Sequence, residues 1–328
     1  MTIPTAMRAL QQISLEGPEG LRLVELPVPR PRRGEVLIRV AAAGVNFVDL
    51  ARARGTFGTS PQPPFVAGFE AAGEVVATGD GVATPAPGAQ VIAAGPGAFA
   101  EYAVVPAAAA MAVPPGWTAA QALGLVINWP TALAALELGR LRAGETVLIH
   151  AAAGATGHAA VTLAKHRGAR VIAVASTSKH AAVRAARADH VLDARDPDLA
   201  AAVLELTGGL GADLVLESTG GASFAASLAA TRRVTGRVVV VGLAGGTAAI
   251  SNWDLVYKHQ VQMIGFNLGV LIQSAPQLFG QIMGELAGLI ASGIIAPARA
   301  TAYALADGAR ALGDLERRAT IGKLALIP

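Results

Sequence analysis

The chain has 328 residues, a formal net charge of +3 and no cysteine. The missing cysteine excludes disulfides and thiolate ligands, and the small charge, without a basic stripe, argues against nucleic acid as a partner. At about 150 residues per domain, the length predicts two domains. Apolar residues make up 53% of the chain, but 72 residues are alanine and prolines interrupt the longest uncharged stretch, so we expect no membrane span. Residues 1–4 do not resemble a signal peptide, and we expect a cytoplasmic protein.

The first third of the chain is predicted to be rich in β-strands. Apolar and polar residues alternate over 21–26 and 35–40, and the runs 71–77 and 90–93 continue the pattern. Glycine, proline and aspartate separate these runs and mark turns. An antiparallel sheet or a small barrel is the expected outcome.

Strands and helices alternate in the second part of the chain. A helix is expected over 131–138, after Asn128-Trp129-Pro130, and later helices over 158–167 and about 179–187. Short apolar strands are expected at 146–150, 170–175, 190–192, 213–216, 237–241 and 262–266. Near-continuous apolar strands that alternate with helices are typical of a parallel sheet covered on both faces. Helices at about 275–292 and 308–315 and a strand at 323–327 complete the chain.

A turn of small residues follows the first of these parallel strands. It contains Ala153, Gly154, Ala155, Thr156 and Gly157 and leads directly into a helix. Small residues let the backbone approach a pyrophosphate, whose charge is stabilised by the free amides of the helix N-terminus. The order of strand, turn and helix therefore favours a dinucleotide site. A tight turn without a ligand is the alternative.

The end of the second parallel strand indicates which dinucleotide is bound. Sites for NAD usually carry Asp or Glu there, about 20 residues after the glycines, to bind the ribose 2′-hydroxyl. Here Ser176, Thr177 and Lys179 occupy that place, and no carboxylate occurs from 146 to 188. Hydroxyls and a lysine suit a 2′-phosphate, so we expect NADP(H). The alternative is that Lys179 merely begins a surface helix.

Several motifs at consistent spacing resemble the zinc-independent quinone oxidoreductases of the medium-chain dehydrogenase/reductase superfamily. They are the segments 43–49 (AGVNFVD), 68–73 (GFEAAG), 97–102 (GAFAEY), the turn at 151–157 and Gly322-Lys323. The resemblance implies an α/β fold with a GroES-like, β-rich catalytic domain and a Rossmann domain, a doubly wound parallel sheet of six strands. We expect the GroES-like domain at 1–125 and 267–328, and the Rossmann domain at 126–266.

The resemblance also implies the remaining site residues. Residues matching Asn46 lie near the nicotinamide and substrate, and those matching Thr131 contact the cofactor, so both are assigned to catalysis. Positions matching Ser176, Lys179 and Arg318 lie by the adenosine phosphate, although Ala194 replaces a tyrosine frequent there. The predicted cofactor site also includes Gly242, Leu243, Phe266 and Leu268. Zinc relatives have Cys at the position of Asn46 and His at that of Phe69, so no metal is expected.

A zinc-free reductase needs a substrate that spreads its developing charge. Hydride addition to a quinone or an α,β-unsaturated carbonyl gives a hydroquinone anion or an enolate, to which solvent can supply the proton, and an amide donor such as Asn46 can orient the oxygen. The sequence therefore predicts an NADPH-dependent quinone or enone reductase, which by resemblance is a homodimer pairing near 261–266. An enoyl-thioester reductase of the same superfamily and a non-catalytic, crystallin-like NADPH-binding protein are the alternatives.

Overall fold

The computed structural model describes residues 3–58 and 61–328. Contacts divide the chain into two compact units. The first comprises Met1–Ile127 and Ala296–Pro328, and the second comprises Asn128–Ile295. Among the described residues, no helix has both the length and the apolar character needed to cross a membrane.

The first unit is built mainly from antiparallel strands. Its elements from the amino-terminal part are β1 (Ala6–Gln12), β2 (Leu21–Pro27), β3 (Glu35–Val45), α1 (Phe47–Ala53), β4 (Phe65–Val66), β5 (Glu70–Thr78), β6 (Gln90–Ala94), β7 (Tyr102–Pro106), β8 (Ala110–Ala112) and α2 (Ala119–Ala122). Strands β2, β1 and β4 form a small sheet, and β3 is the centre of a larger one, paired with β5 and β7. The side chains of Leu10, Phe99 and Leu326 are buried in one core of this unit.

The second unit is a parallel α/β structure. Its elements are α3 (Asn128–Leu138), β9 (Thr146–Ile149), α4 (Ala155–His166), β10 (Arg170–Ala175), α5 (His180–Ala185), β11 (His190–Asp193), α6 (Leu199–Leu206), β12 (Leu214–Glu217), α7 (Ala222–Ala230), β13 (Arg237–Val240), β14 (Gln262–Gly265), α8 (Leu268–Ser274) and α9 (Pro276–Ala291). The six strands lie in the order β11-β10-β9-β12-β13-β14, and every neighbouring pair is parallel. This arrangement confirms the predicted α/β fold with a six-stranded doubly wound sheet.

The chain then returns to the first unit with β15 (Thr301–Ala304), α10 (Gly308–Glu316) and β16 (Leu324–Ile327). Strand β16 pairs with β3, so the end of the chain lies beside the segment that leads to Asn46. Because β16 pairs with β15 on one side and β3 on the other, the two parts of this unit share one hydrogen-bonded sheet.

Two boundaries in the structure differ from the sequence-based expectation. Helix α3 begins at Asn128 rather than after Pro130, since a proline in the first turn of a helix loses no hydrogen bond there. The second unit extends to Ile295, beyond the boundary expected after 266. Helix α9 packs against α3, and Glu285 forms an ion pair with Arg167 at 3.0 Å, so these contacts attach α9 to the second unit.

Candidate functional site

The glycine-rich turn lies where the strand order of the parallel sheet reverses. Strand β9 pairs with β10 on one side and β12 on the other, and the turn leaves its carboxyl end. A crevice at such a reversal point is the usual ligand site of open parallel sheets. The turn is closed by a 2.9 Å hydrogen bond from the Gly154 amide to the Ala151 carbonyl, and Ala151 has a positive φ of 48°.

Gly157 is required by the close approach of the helix to the turn. A Cβ there would collide with the Ala151 carbonyl oxygen and lie 2.7 Å from the Cα of Ala152. At Gly154, in contrast, a Cβ would meet only the Ala151 oxygen, at 3.4 Å. Gly157 therefore allows close packing, while Gly154 leaves space open in front of the helix.

The N-terminus of α4 has the electrostatic character of an anion site. Its N-cap, Gly154, supplies no side-chain acceptor, and no acidic residue lies in the first turn. The unsatisfied amides and the helix dipole favour a negative group at this position. Asn128 donates a 3.0 Å hydrogen bond from Nδ2 to Oγ1 of Thr156, which connects the start of α3 to this turn. Thr131 lies one helical turn after Asn128.

Ser176, Thr177 and Lys179 follow the carboxyl end of β10, on the same edge of the sheet as the glycine-rich turn. Residues 177–179 form a 3₁₀ turn capped by Ser176. Thr177 donates a 2.8 Å hydrogen bond from Oγ1 to Oδ2 of Asp193, the last residue of β11. The sequence assigned no role to Asp193, whose position became apparent only from the pairing of β10 with β11.

Gly242, Leu243, Phe266 and Leu268 follow the carboxyl ends of β13 and β14. A Cβ at Gly242 would lie 2.6 Å from the carbonyl oxygen of Ser218, so this loop packs directly on the loop after β12. Leu243 is exposed, and Leu268 is the first residue of α8, whose N-cap side chain accepts a hydrogen bond from the Val270 amide. The fold therefore brings these four residues to the same edge as the glycine-rich turn.

A buried polar cluster at this edge comprises His150, Glu217 and Ser227. One carboxylate oxygen of Glu217 accepts hydrogen bonds from the amides of Thr219 and Gly220, at 2.7 and 2.8 Å. The other accepts one from the Ser227 hydroxyl, which also contacts Nε2 of His150 at 2.9 Å. Burial lowers the pKa of His150, so its imidazole is neutral at neutral pH. This cluster shapes the loop after β12, and its members are too far apart in sequence for any local pattern to reveal it.

Asn46 belongs to the first unit, where it caps α1 and lies in a second buried cluster. Its Nδ2 donates to Oε2 of Glu70 at 3.0 Å and to the Gly44 carbonyl at 3.2 Å, while its Oδ1 accepts from Nζ of Lys323 at 2.6 Å. Lys323 also forms a 2.6 Å ion pair with Glu70, which is fully buried. The second oxygen of Glu70 accepts a 2.6 Å hydrogen bond from the Gly124 amide.

Asp49 is the third ionisable residue of this cluster. It lies in the first turn of α1, and its Oδ2 accepts a 2.8 Å hydrogen bond from the backbone amide of Asn46. Among the described residues, Oδ1 of Asp49 is buried and has no hydrogen-bond partner. Burial raises the pKa of Asp49 to about 7, and the Asn46 amide and the Lys323 ammonium oppose this shift only in part.

The cluster does not suit a zinc ion. Asn46 and Phe69 stand where the zinc-dependent relatives carry Cys and His, and Lys323 directs its ammonium group at Glu70 and Asn46. Zinc in proteins is held by thiolate, imidazole and carboxylate ligands, and a bound ammonium group repels it. In residues 3–58 and 61–328, no group of three or more His, Asp or Glu side chains is arranged to hold a metal.

The predicted residues thus divide between the two units. Asn46 and Arg318, which follows α10 with a φ of 54°, belong to the first unit, and the others belong to the second. Within the second unit, all the predicted cofactor residues except Thr131 lie at one edge of the parallel sheet. Sequence reasoning missed Glu70, Lys323 and Asp49 as site residues. All three lie inside motifs that carry the family resemblance, at 43–49, 68–73 and 322–323, but the motifs alone assign them no role.

Comparisons with known proteins agree with this architecture. Residues 32–115 match the family model of the alcohol dehydrogenase GroES-like domain, and residues 155–283 match that of the zinc-binding dehydrogenases. The quinone oxidoreductase of Escherichia coli, solved in complex with NADPH, is 30% identical, with a TM-score of 0.89 over 98% of this chain and 100% of that one. The CurK enoyl reductase is 27% identical, with a TM-score of 0.88 over 99% of each chain.

A longer relative is the erythronolide synthase EryA2 of Saccharopolyspora erythraea, which is 37% identical over 92% of this chain. The chain spans only 8% of the length of that synthase. With two domain matches and a structural relative covered over its full length, the chain belongs to the zinc-independent quinone oxidoreductase branch of the medium-chain dehydrogenase/reductase superfamily. The name of the second family model refers to zinc-binding members, whereas this chain has no cysteine to supply a thiolate ligand.

Proposed function

We propose that the protein is an NADPH-dependent reductase that adds hydride to a quinone or to an α,β-unsaturated carbonyl without a metal. The observation that carries this proposal is that each compact unit contributes one site. The second unit has an uncapped helix N-terminus at the reversal point of a parallel sheet, and the first has a buried cluster around Asn46 whose donors do not suit zinc. The similarity to the Escherichia coli quinone oxidoreductase, which was solved with NADPH, supports the same proposed function.

The second unit fits NADP(H) by its own geometry. Gly154 and Gly157 admit a pyrophosphate to the N-terminus of α4, where no acidic side chain competes with it. Ser176 and Lys179, after β10, supply a hydroxyl and an ammonium group for the 2′-phosphate. When bound, the nicotinamide supplies the hydride, and the residues of this chain bind and orient the reactants.

Asn46 is the donor proposed to orient the substrate oxygen. The bond from its Nδ2 to the Gly44 carbonyl is the longest of its three side-chain bonds, at 3.2 Å, and it is the one exchanged for a substrate oxygen. The Lys323 ammonium at Oδ1 polarises the amide and strengthens Nδ2 as a donor. Glu70 holds the other Nδ2 hydrogen, so the amide plane stays fixed.

The test is reduction of a panel of substrates by the purified protein. Oxidation of NADPH at 340 nm should be seen with 1,4-benzoquinone, 9,10-phenanthrenequinone or simple enones, and treatment with EDTA should leave the rate unchanged. Asn46→Ala should lower kcat at least tenfold while NADPH affinity changes less than twofold. A protein that binds NADPH but reduces none of these compounds would refute the proposal.

Reduction of an enoyl thioester is the second candidate function. The similarity to the CurK enoyl reductase and to a segment of the erythronolide synthase favours it. Crotonyl-CoA and a crotonyl-pantetheine thioester separate the two functions. A kcat/KM for the thioesters at least tenfold above that for quinones would assign the protein to this second function.

The proposed assembly is a homodimer formed along β14. This strand is at the edge of the parallel sheet, so one row of its backbone groups has no neighbouring strand among the residues that the structure describes. Trp253, Val256 and Tyr257, just before β14, are large apolar side chains that are more than half exposed. Exposed patches of this kind mark association surfaces. Sedimentation should give twice the mass of the chain, and Trp253→Glu together with Tyr257→Glu should give the monomer.

A further inference from the structure

Asp193 brings a carboxylate to the turn that follows β10. In the register of the parallel pair β10–β11, Asp193 lies opposite Ala175, the last residue of β10. Its Oδ2 accepts the hydroxyl of Thr177 at 2.8 Å, and its Oδ1 accepts the Arg195 amide at 3.2 Å. The carboxylate is therefore fixed beside the 3₁₀ turn that contains Lys179.

This carboxylate is ionised at neutral pH. The hydrogen bond from Thr177 lowers the pKa of Asp193 most, the Arg195 amide contributes next, and the positive groups of Arg195 and His180 add smaller effects. The side chain lies at the surface, so water surrounds the charge. The turn thus combines the cations Lys179 and Arg195 with one anion.

We propose that Asp193 is a specificity-determining residue that reduces discrimination between NADPH and NADH. Dinucleotide sites that prefer NADH place a carboxylate after the second strand, where it accepts the ribose 2′-hydroxyl. Here the neighbouring strand supplies that carboxylate, which repels a 2′-phosphate and accepts a 2′-hydroxyl. The inference rests on the proposed dinucleotide site, and it predicts a protein that binds both cofactors despite Lys179.

Two substitutions separate the charge of Asp193 from its structural role. Asp193→Asn removes the charge and keeps an oxygen that accepts the Thr177 hydroxyl. Thr177→Val keeps the charge and removes the hydrogen bond, with little change in shape. Dissociation constants for NADPH and NADH are measured by quenching of protein fluorescence, without any substrate.

The expected result is a preference for NADPH over NADH that rises about fivefold in Asp193→Asn, because a repulsive charge near the phosphate is lost. Thr177→Val keeps the carboxylate and removes a hydroxyl of the predicted phosphate site, so the preference for NADPH should not rise in this variant. An unchanged preference in Asp193→Asn would overturn the inference, and so would an equal rise in Thr177→Val, which would mean that the shape of the turn decides.

These outcomes are distinct from failure of the proposed function. If the preference shifts as expected but no quinone, enone or thioester is reduced, the reductase assignment is refuted and the role of Asp193 is supported. If the wild-type protein binds neither cofactor, both the reductase assignment and the role of Asp193 are refuted. Lys179→Met serves as the matched control, since it should weaken NADPH binding while NADH binding changes less than twofold.

Discussion

The buried carboxyl group of Asp49 makes stability depend on pH in an unusual direction. Most carboxyl groups with altered pKa values among the described residues have lowered ones. For Glu101 and Glu145, burial raises the pKa, but hydrogen bonds and charge from neighbouring arginines together outweigh it. For such groups the free energy of unfolding increases as the pH rises from their folded-state pKa to their ordinary pKa. Asp49 does the reverse, because its pKa is raised to about 7 from 3.8.

The size of the effect follows from linkage. Below pH 3.8 the group is protonated in both states and contributes nothing. Between pH 3.8 and 7 only the unfolded state releases the proton, so the free energy of unfolding falls as the pH rises. Above pH 7 the Asp49 carboxyl group is ionised in both the folded and the unfolded state, and the free energy of unfolding is lowered by the full amount. A shift from 3.8 to about 7 corresponds to about 4 kcal/mol, at about 1.36 kcal/mol per pKa unit.

Asp49→Asn tests this reasoning because it removes the ionisation and keeps an oxygen that accepts the Asn46 amide. Urea unfolding, followed by far-UV circular dichroism from pH 4.5 to 8.5, gives the free energy of unfolding of both proteins. We expect the stability of the variant relative to the wild type to rise by about 3 kcal/mol between pH 4.5 and about 7 and then to level off. Asp314→Asn, at a partly exposed carboxylate whose pKa is lowered chiefly by the Tyr303 hydroxyl, is the control and should show no such gain. A difference between Asp49→Asn and the wild type that does not vary with pH would refute the argument.

Two further substitutions address the two clusters of the candidate site. Gly157→Ala should weaken NADPH binding at least tenfold by calorimetry and also lower the free energy of unfolding, because the new methyl group collides with the Ala151 carbonyl; Gly154→Ala, where the nearest protein atom is 3.4 Å away, should leave the free energy of unfolding unchanged and weaken only the binding. Lys323→Met should lower the free energy of unfolding by about 3–5 kcal/mol, since it leaves the Glu70 carboxylate buried without its ion pair. Adding Glu70→Gln to Lys323→Met should recover part of that loss, and a double variant less stable than the single one would contradict this explanation.

Local patterns in the sequence determined much of the second unit. The apolar run at 170–175 corresponds to β10, and that at 262–266 to β14 with one residue less. The same holds for one helix of the first unit, expected at 308–315, which ends one residue later at Glu316. Such elements are predictable because strand and helix periodicities, glycine turns and proline starts act over a few residues. The glycine-rich turn was found for the same reason, since strand, turn and helix are contiguous.

The tertiary structure alone decided how distant residues meet. Asn46, Glu70 and Lys323 come from the ends of three separate strands, and only the pairing of β16 and β5 with β3 brings them together. Asp193 reaches Thr177 because β11 lies beside β10, not because of its distance along the chain. Composition excluded a thiolate-bound zinc ion from the start, whereas the ion pair found in its place depends on long-range sheet register. No periodicity encodes that register, because it follows from packing the whole unit.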